Sequence, residues 1–168
     1  GSSEGVDRYT VSPENIETNR ELDYTVLRVF GNPSTKYGKL KLAEADPEDA
    51  EFLWIIGHPQ GQAMHISREG CAAAVPAISA EGKLMHSCDT LGGNSGSPVI
   101  RLSDHAVVGL HHAGDSRTGF NMAIPMTRIL PQSSGLKATA GGGQVVSTCD
   151  AMWAEAKNLG CAAYEVYA

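Results

Sequence analysis

The 168-residue chain has few aromatic residues, 6%, and no surplus of positive charge. Lys and Arg number 13 against 19 Asp and Glu, a formal net charge of -6. Binding to phosphate backbones needs clustered Lys and Arg. No such cluster occurs, so a nucleic-acid partner is not expected. No apolar run approaches the ~20 residues that span a bilayer, so a membrane partner is not expected either. No leader-type segment is visible at Gly1-Ser2-Ser3. Cysteine is sparse, and the spacing of Cys71, Cys88, Cys149 and Cys161 forms no CxxC or zinc pattern. Two disulfides are formally open. The preferred reading is four reduced, mostly buried thiols in a cytoplasmic rather than secreted protein. The residues call for no metal and no cofactor.

What is present is a succession of short β-type runs. Tyr24-Thr25-Val26-Leu27-Arg28-Val29-Phe30, Phe52-Leu53-Trp54-Ile55-Ile56-Gly57, Ser97-Pro98-Val99-Ile100-Arg101-Leu102 and Ala106-Val107-Val108-Gly109-Leu110-His111 are each ended by turn residues. Partly alternating runs of this length predict an all-β sandwich or barrel over residues 1–135. Residues 136–144 include three consecutive glycines and read as a linker. Beyond it the period changes. Met152, Trp153, Ala156 and Leu159 form a helical stripe, with Ser147 or Thr148 as its cap. Gly160 ends it, and Cys161 to Tyr167 begins a second helical turn. Residues 145–168 are thus expected to start a helical region, or to fold back on the barrel. Core packing is the preferred role for Trp153; a regulatory partner is the alternative.

Chemistry concentrates at Gly92-Gly93-Asn94-Ser95-Gly96-Ser97-Pro98. A serine hydroxyl is a poor nucleophile unless a base takes its proton and donors receive the developing oxyanion. The glycines permit a turn that points the amides of Gly93 and Ser95 inward as an oxyanion hole. A β-run follows, then a second run ending in His111-His112-Ala113-Gly114, which argues against an idle Gly/Ser hairpin. Adjacent residues on a strand face opposite ways, so His111 and His112 do not chelate one metal ion.

The segment Cys88 to Val99 resembles the nucleophile loop of chymotrypsin-like (trypsin-like) serine peptidases, and within them the bacterial glutamyl-endopeptidase-like branch. Glu21 to Val29 resembles the strand that carries the triad aspartate, here Asp23. Ile55 to Gly61 resembles the turn opening the second barrel. Val108 to Gly114, with Phe120 to Pro125, resembles the strand pair beside the specificity pocket. The match covers about residues 9–131. It implies a double β-barrel with an incomplete first barrel and a short C-terminal helical segment. It further implies an endopeptidase acting on protein or peptide through an acyl-enzyme on Ser95, with Asp23 orienting the base imidazole.

The same resemblance exposes a gap. The family order is His, Asp, Ser, yet all six histidines follow Asp23: His58, His65, His86, His105, His111 and His112. The base is therefore expected from a partner, the N-terminal segment of the same protease, with this chain inactive alone. The rival is a catalytically dead, protease-like binding module. For the substrate pocket, Asp89 lies where trypsin-type enzymes select Lys or Arg. Thr90 and His111 match positions that glutamyl endopeptidases use for a carboxylate, with His112 beside them. A loop-capping role for Asp89 stays open.

Overall fold

The computed structural model describes residues 7–115 and 117–136, and the backbone of 163–167. It is mostly β, as the short runs predict. Strand β1 (Val11–Asn19) turns through residues 20–23 into β2 (Tyr24–Val29), and helix α1 (Pro33–Tyr37) follows. Then come β3 (Leu53–Gly57), a 3-10 turn (Pro59–Gly61), β4 (His65–Ser67), β5 (Ala73–Ile78) and β6 (Leu84–His86). Strands β7 (Pro98–Arg101), β8 (Val107–Asp115) and β9 (Phe120–Pro125) lead into helix α2 (Met126–Gln132). Strand β10 (Ala163–Tyr167) is the last described element.

Seven strands form one antiparallel sheet in the order β4-β3-β7-β8-β9-β6-β5. It curls back on itself where the start of β3 meets the start of β5: Leu53 N–H donates to Cys71 O at 3.0 Å, and Ala73 N–H to Glu51 O at 2.9 Å. The sheet thereby curls into a barrel without a long open edge. The other sheet is small, in the order β1-β2-β10. It is the incomplete first barrel.

Alternation along the central strands, shifted by a bulge between Val107 and Gly109, explains how the two parts hold together. Val99, Val108 and Ala123 pack inside the seven-stranded barrel with Leu53, Ile55 and Leu84. Their neighbours Ile100, Val107, Leu110 and Ile124 point the other way, into a second core with Leu22, Tyr24 and Val26. Strands β7, β8 and β9 thus bury both faces, which is why they read as continuous apolar runs. Met126, Ile129 and Leu130 of α2 close that second core. The Glu17 carboxylate clasps the end of α2, accepting from the Ser133 hydroxyl, from Ser134 N–H at 2.9 Å and from Gly135 N–H at 3.2 Å. Burial pushes this carboxyl up, yet those donors hold it below its ordinary value.

Two expectations change here. Cys71 and Cys88 are joined in a disulfide, so these two are not free thiols. The fold brings the start of β5 and the end of β6 side by side, a proximity that sequence spacing does not reveal. Residues 163–167 form an antiparallel strand along β2, with Val166 opposite Val26, in place of a second helical turn. Alternate Ala, Glu and Tyr residues suit either period, and the open edge of β2 offers the hydrogen bonds that select the strand. The helical stripe at Met152 to Leu159 and the linker from 137 onward lie outside the described residues.

The disulfide closes a separation of 17 residues inside the core. A crosslink of that span stabilises by about 3 kcal/mol through the entropy of the unfolded chain. Cys71→Ser is expected to lower the free energy of unfolding by about 2–4 kcal/mol. Urea titration of the two proteins measures it.

Candidate active site

The Ser95 loop is held from two directions. Gly96 N–H donates to His111 O at 2.8 Å, and His111 N–H donates to Ser97 O at 2.9 Å. This pair fixes the loop to β8. Gln60 N–H donates to Gly92 O at 2.7 Å, tying the loop to the Pro59–Gly61 turn. Gly93 has φ +98°, and a Cβ there would stand 2.9 Å from Gln60 N. Both its conformation and its surroundings therefore demand glycine. Gly57 is required for a different reason. A Cβ on it would lie 2.2 Å from Ser97 Oγ and 2.5 Å from Asn94 Oδ1. Asn94 is buried beneath the loop, and its Oδ1 has no partner among the described residues.

Ser95 itself is exposed. Among the described residues, neither the Gly93 nor the Ser95 N–H has an acceptor in the chain. Two such amides flanking a reactive hydroxyl are free to bind an oxyanion. Ser95 Oγ donates to the backbone oxygen of His112 at 3.4 Å. The imidazole of His112 turns the other way, with Nδ1 3.0 Å from Asp23 Oδ2. His112 therefore bridges the two residues that sequence reading paired. Asp23 reaches this position because Leu22 and Tyr24 on either side of it are buried. The turn places Asp23 at φ 50°, a conformation that Asp tolerates. No imidazole nitrogen among the described residues hydrogen-bonds to Ser95 Oγ. His58, His65 and His105 are exposed elsewhere.

The residues read as a substrate pocket separate into two groups. Thr90 lines a cleft of about 300 Å³ with Gly114, Asp115, Gly119, Phe120 and Asn121. Asp89 lines a neighbouring cleft of about 390 Å³ with His65, Ile66 and Ser67, which Thr90 also borders. The Asp89 residue is exposed. His111 is buried, with Nδ1 3.3 Å from Nε2 of His86. His112 is not with them, since β8 turns it toward Asp23. His86 was not singled out by sequence reading. The signal that could have found it is alternation from Leu84 to His86, which puts both on the inner face of one short strand.

Burial holds both imidazoles below the ordinary histidine range. His86 falls to about 3, through burial and then the nearby His111. His111 falls to about 4, through burial and then His112. The folded protein thus binds fewer protons than the unfolded chain between those values and about 6.5. Stability from this pair is complete above pH 6.5 and is lost as pH falls toward 3. The slope per histidine is at most about 1.4 kcal/mol per pH unit. Urea midpoints at pH 7.5, 5.5 and 4.5 should fall in that order, and fall less in His86→Phe.

Comparison with known proteins agrees with this geometry. Residues 3–110 match the sequence profile of the trypsin-like peptidase domain. Secreted RxLR effector protein 73 of Plasmopara viticola is 33% identical over 105 residues, spanning 59% of this chain. The chain covers only 26% of that relative. The Rv3671c protease of M. tuberculosis, in its inactive form, superposes with a TM-score of 0.62 at 16% identity, covering 80% of this chain and 68% of the other. A serine endoprotease from Yersinia pestis gives a TM-score of 0.57 at 14% identity, covering 71% and 42%. At these identities the structures establish the fold, the chymotrypsin-like double barrel with its first barrel incomplete. With the loop at Ser95 and the profile match together, the chain belongs to the trypsin-like peptidase domain family.

Proposed function

We propose that this chain is the nucleophile-bearing part of a serine endopeptidase. Ser95 attacks the peptide carbonyl, the Gly93 and Ser95 amides hold the oxyanion, and Asp23 orients a histidine supplied from outside this sequence. The observation that carries the reading is the pair of unpartnered amides beside an exposed Ser95 Oγ that no imidazole engages. An exposed hydroxyl beside two open amides fits a nucleophile with its oxyanion hole, while no base for it is found among the described residues. No cofactor enters this mechanism.

For specificity, the geometry favours an acidic side chain over a basic one. Asp89 opens onto a different cleft from the one that Thr90, Gly114 and Asn121 line. The carboxylate that lines that cleft is Asp115, already paired with Arg117 at 3.1 Å, and Asp89 is not among its lining residues. This is the glutamyl-endopeptidase-like reading, with Thr90 and His111 as the recognising residues. The Cys71–Cys88 disulfide supports an oxidising compartment rather than the cytoplasm. The secreted relative supports the same revision.

A second reading, a protease-like binding module, draws on one contact. Asp23 already has an imidazole partner in His112, and so is satisfied without a base. Chemical rescue separates the two. The 168-residue chain should react slowly with a serine-directed fluorophosphonate and faster with added imidazole, whereas Ser95→Ala should not react at all. Imidazole-independent labelling abolished by His112→Ala would make His112 the base. No labelling under any condition would favour the binding module. In the protease with its histidine-bearing part, Ser95→Ala should cost at least ~10³ in kcat.

Peptide libraries presented to that protease should show cleavage after Glu or Asp. Loss of a hydrogen bond to a charged group costs about 1.5–3 kcal/mol. His111→Ala should therefore lower kcat/KM for such peptides about 10- to 100-fold. Cleavage after Lys or Arg would return Asp89 to the pocket.

A further inference from the structure

The small sheet has β2 at its centre, paired with β1 on one edge and with β10 on the other. The pairing with β10 runs without a register shift, from Ala163 opposite Val29 to Tyr167 opposite Thr25. Alternation shows which groups of β2 face it. Phe30 N–H donates to Thr10 O at 2.8 Å, on the β1 side. The N–H and C=O groups of successive strand residues point to opposite edges. Thr25, Leu27 and Val29 therefore face β10. Glu165, opposite Leu27, turns its own N–H and C=O toward β2. Without β10 these groups of β2 form a bare row, which is a template for another strand.

Strand direction ties this edge to Asp23. Strand β10 is antiparallel to β2, so its C-terminal end lies beside the start of β2. Tyr167 is opposite Thr25, and in the same register a residue two positions further on falls opposite Asp23. The Asp23 side chain is 60% exposed there, with its Oδ2 bonded to Nδ1 of His112 at 3.0 Å. An extended segment on this edge thus delivers whatever follows it to the candidate acid. The outer edge of β1 does not serve as well. A strand there would lie about 10 Å from β2, twice the spacing of neighbouring strands.

We infer that β10 is a self-inhibitory strand: it occupies the edge of β2 onto which an extended segment arriving at Asp23 docks, and that segment has to displace it. The inference rests on the proposed function and adds its regulation, since in the proposed protease this segment carries the histidine. Neighbouring strands lie about 4.8 Å apart, so one edge holds one partner at a time. Docking is therefore an exchange of strands. The backbone hydrogen bonds given up with β10 are regained from the incoming strand. Side-chain contacts then decide the exchange, and an imidazole meeting the exposed Asp23 carboxylate is the contact that the register points to. The partner is accordingly a β-type segment with a histidine just past its C-terminal end.

Amide hydrogen exchange of the 168-residue chain tests the occupancy. Leu27 N–H should be protected in the unaltered chain and exchange at least about tenfold faster in Glu165→Pro, which removes a donor to β2. Tyr164→Pro, whose N–H points away from β2, should keep most of the protection. A Leu27 amide that is unprotected in the unaltered chain overturns the inference without any variant having to fold. Docking is tested with a synthetic peptide of residues 162–168 extended by one histidine. It should bind Glu165→Pro, restore the Leu27 protection there, and bind the unaltered chain at least about tenfold more weakly. No binding to Glu165→Pro, or equal binding to both chains, overturns the inference. So does a Glu165→Pro dimer in sedimentation that excludes the peptide, since a second copy is then the occupant. Fluorophosphonate labelling of Ser95 separates this result from the proposed function. The bound peptide should speed labelling at least about tenfold over imidazole at equal concentration. Binding without faster labelling supports the strand exchange and counts against histidine-dependent chemistry at Ser95.

Discussion

The structure depends on the alternation of side chains along β8. Residues of this strand alternate between its two sides except at two bulges, between Val107 and Gly109 and between His111 and Ala113, and both sides are occupied. Val108 enters the barrel core, whereas Val107 and Leu110 enter the core shared with β2 and α2. At the far end the same alternation sends His111 inward to His86 and His112 outward to Asp23. A slip of one residue would exchange every one of these partners. The backbone of the same strand also anchors the Ser95 loop through Gly96 and Ser97. One strand thus sets the loop, the acid contact and the pocket wall together.

That arrangement gives His112 a place that position alone would not assign. Its carbonyl accepts from Ser95 Oγ and its imidazole Nδ1 bonds the accepting Asp23 carboxylate. The candidate nucleophile and acid are joined through a single residue, while the proton acceptor that catalysis needs is not on the serine. The site is organised around the candidate oxyanion position. Gly93 is packed against the Pro59–Gly61 turn and Asn94 against Gly57, so the loop has little freedom to collapse. Preorganised donors of this kind stabilise developing charge without reorganising during reaction.

The small sheet is joined to the barrel by the second core and by Glu17 at the end of α2. Strand β2 has neighbours on both edges, β1 and β10. The histidine-bearing part proposed for the complete protease must therefore meet a sheet in which the edge of β2 is already paired.

Much was legible in the chain itself. Short β-runs between Gly and Pro punctuation indicated an all-β fold, because strand alternation and turn chemistry are local properties. The loop at Ser95 was legible for the same reason, since Gly93 must adopt a left-handed turn and only glycine does so freely. The residue numbers of the histidines sufficed to show that none precedes Asp23. Tertiary structure alone decided the rest. Cys71 meets Cys88, and His86 meets His111, because barrel closure and strand register bring distant segments within bonding distance. Asp89 and Thr90 share one cleft, but Thr90 alone of the two also borders the cleft of Gly114 and Asn121, a division created by the strands around them. Residues 163–167 became a strand because β2 offered an unpaired edge, and a partner's edge is invisible to local periodicity.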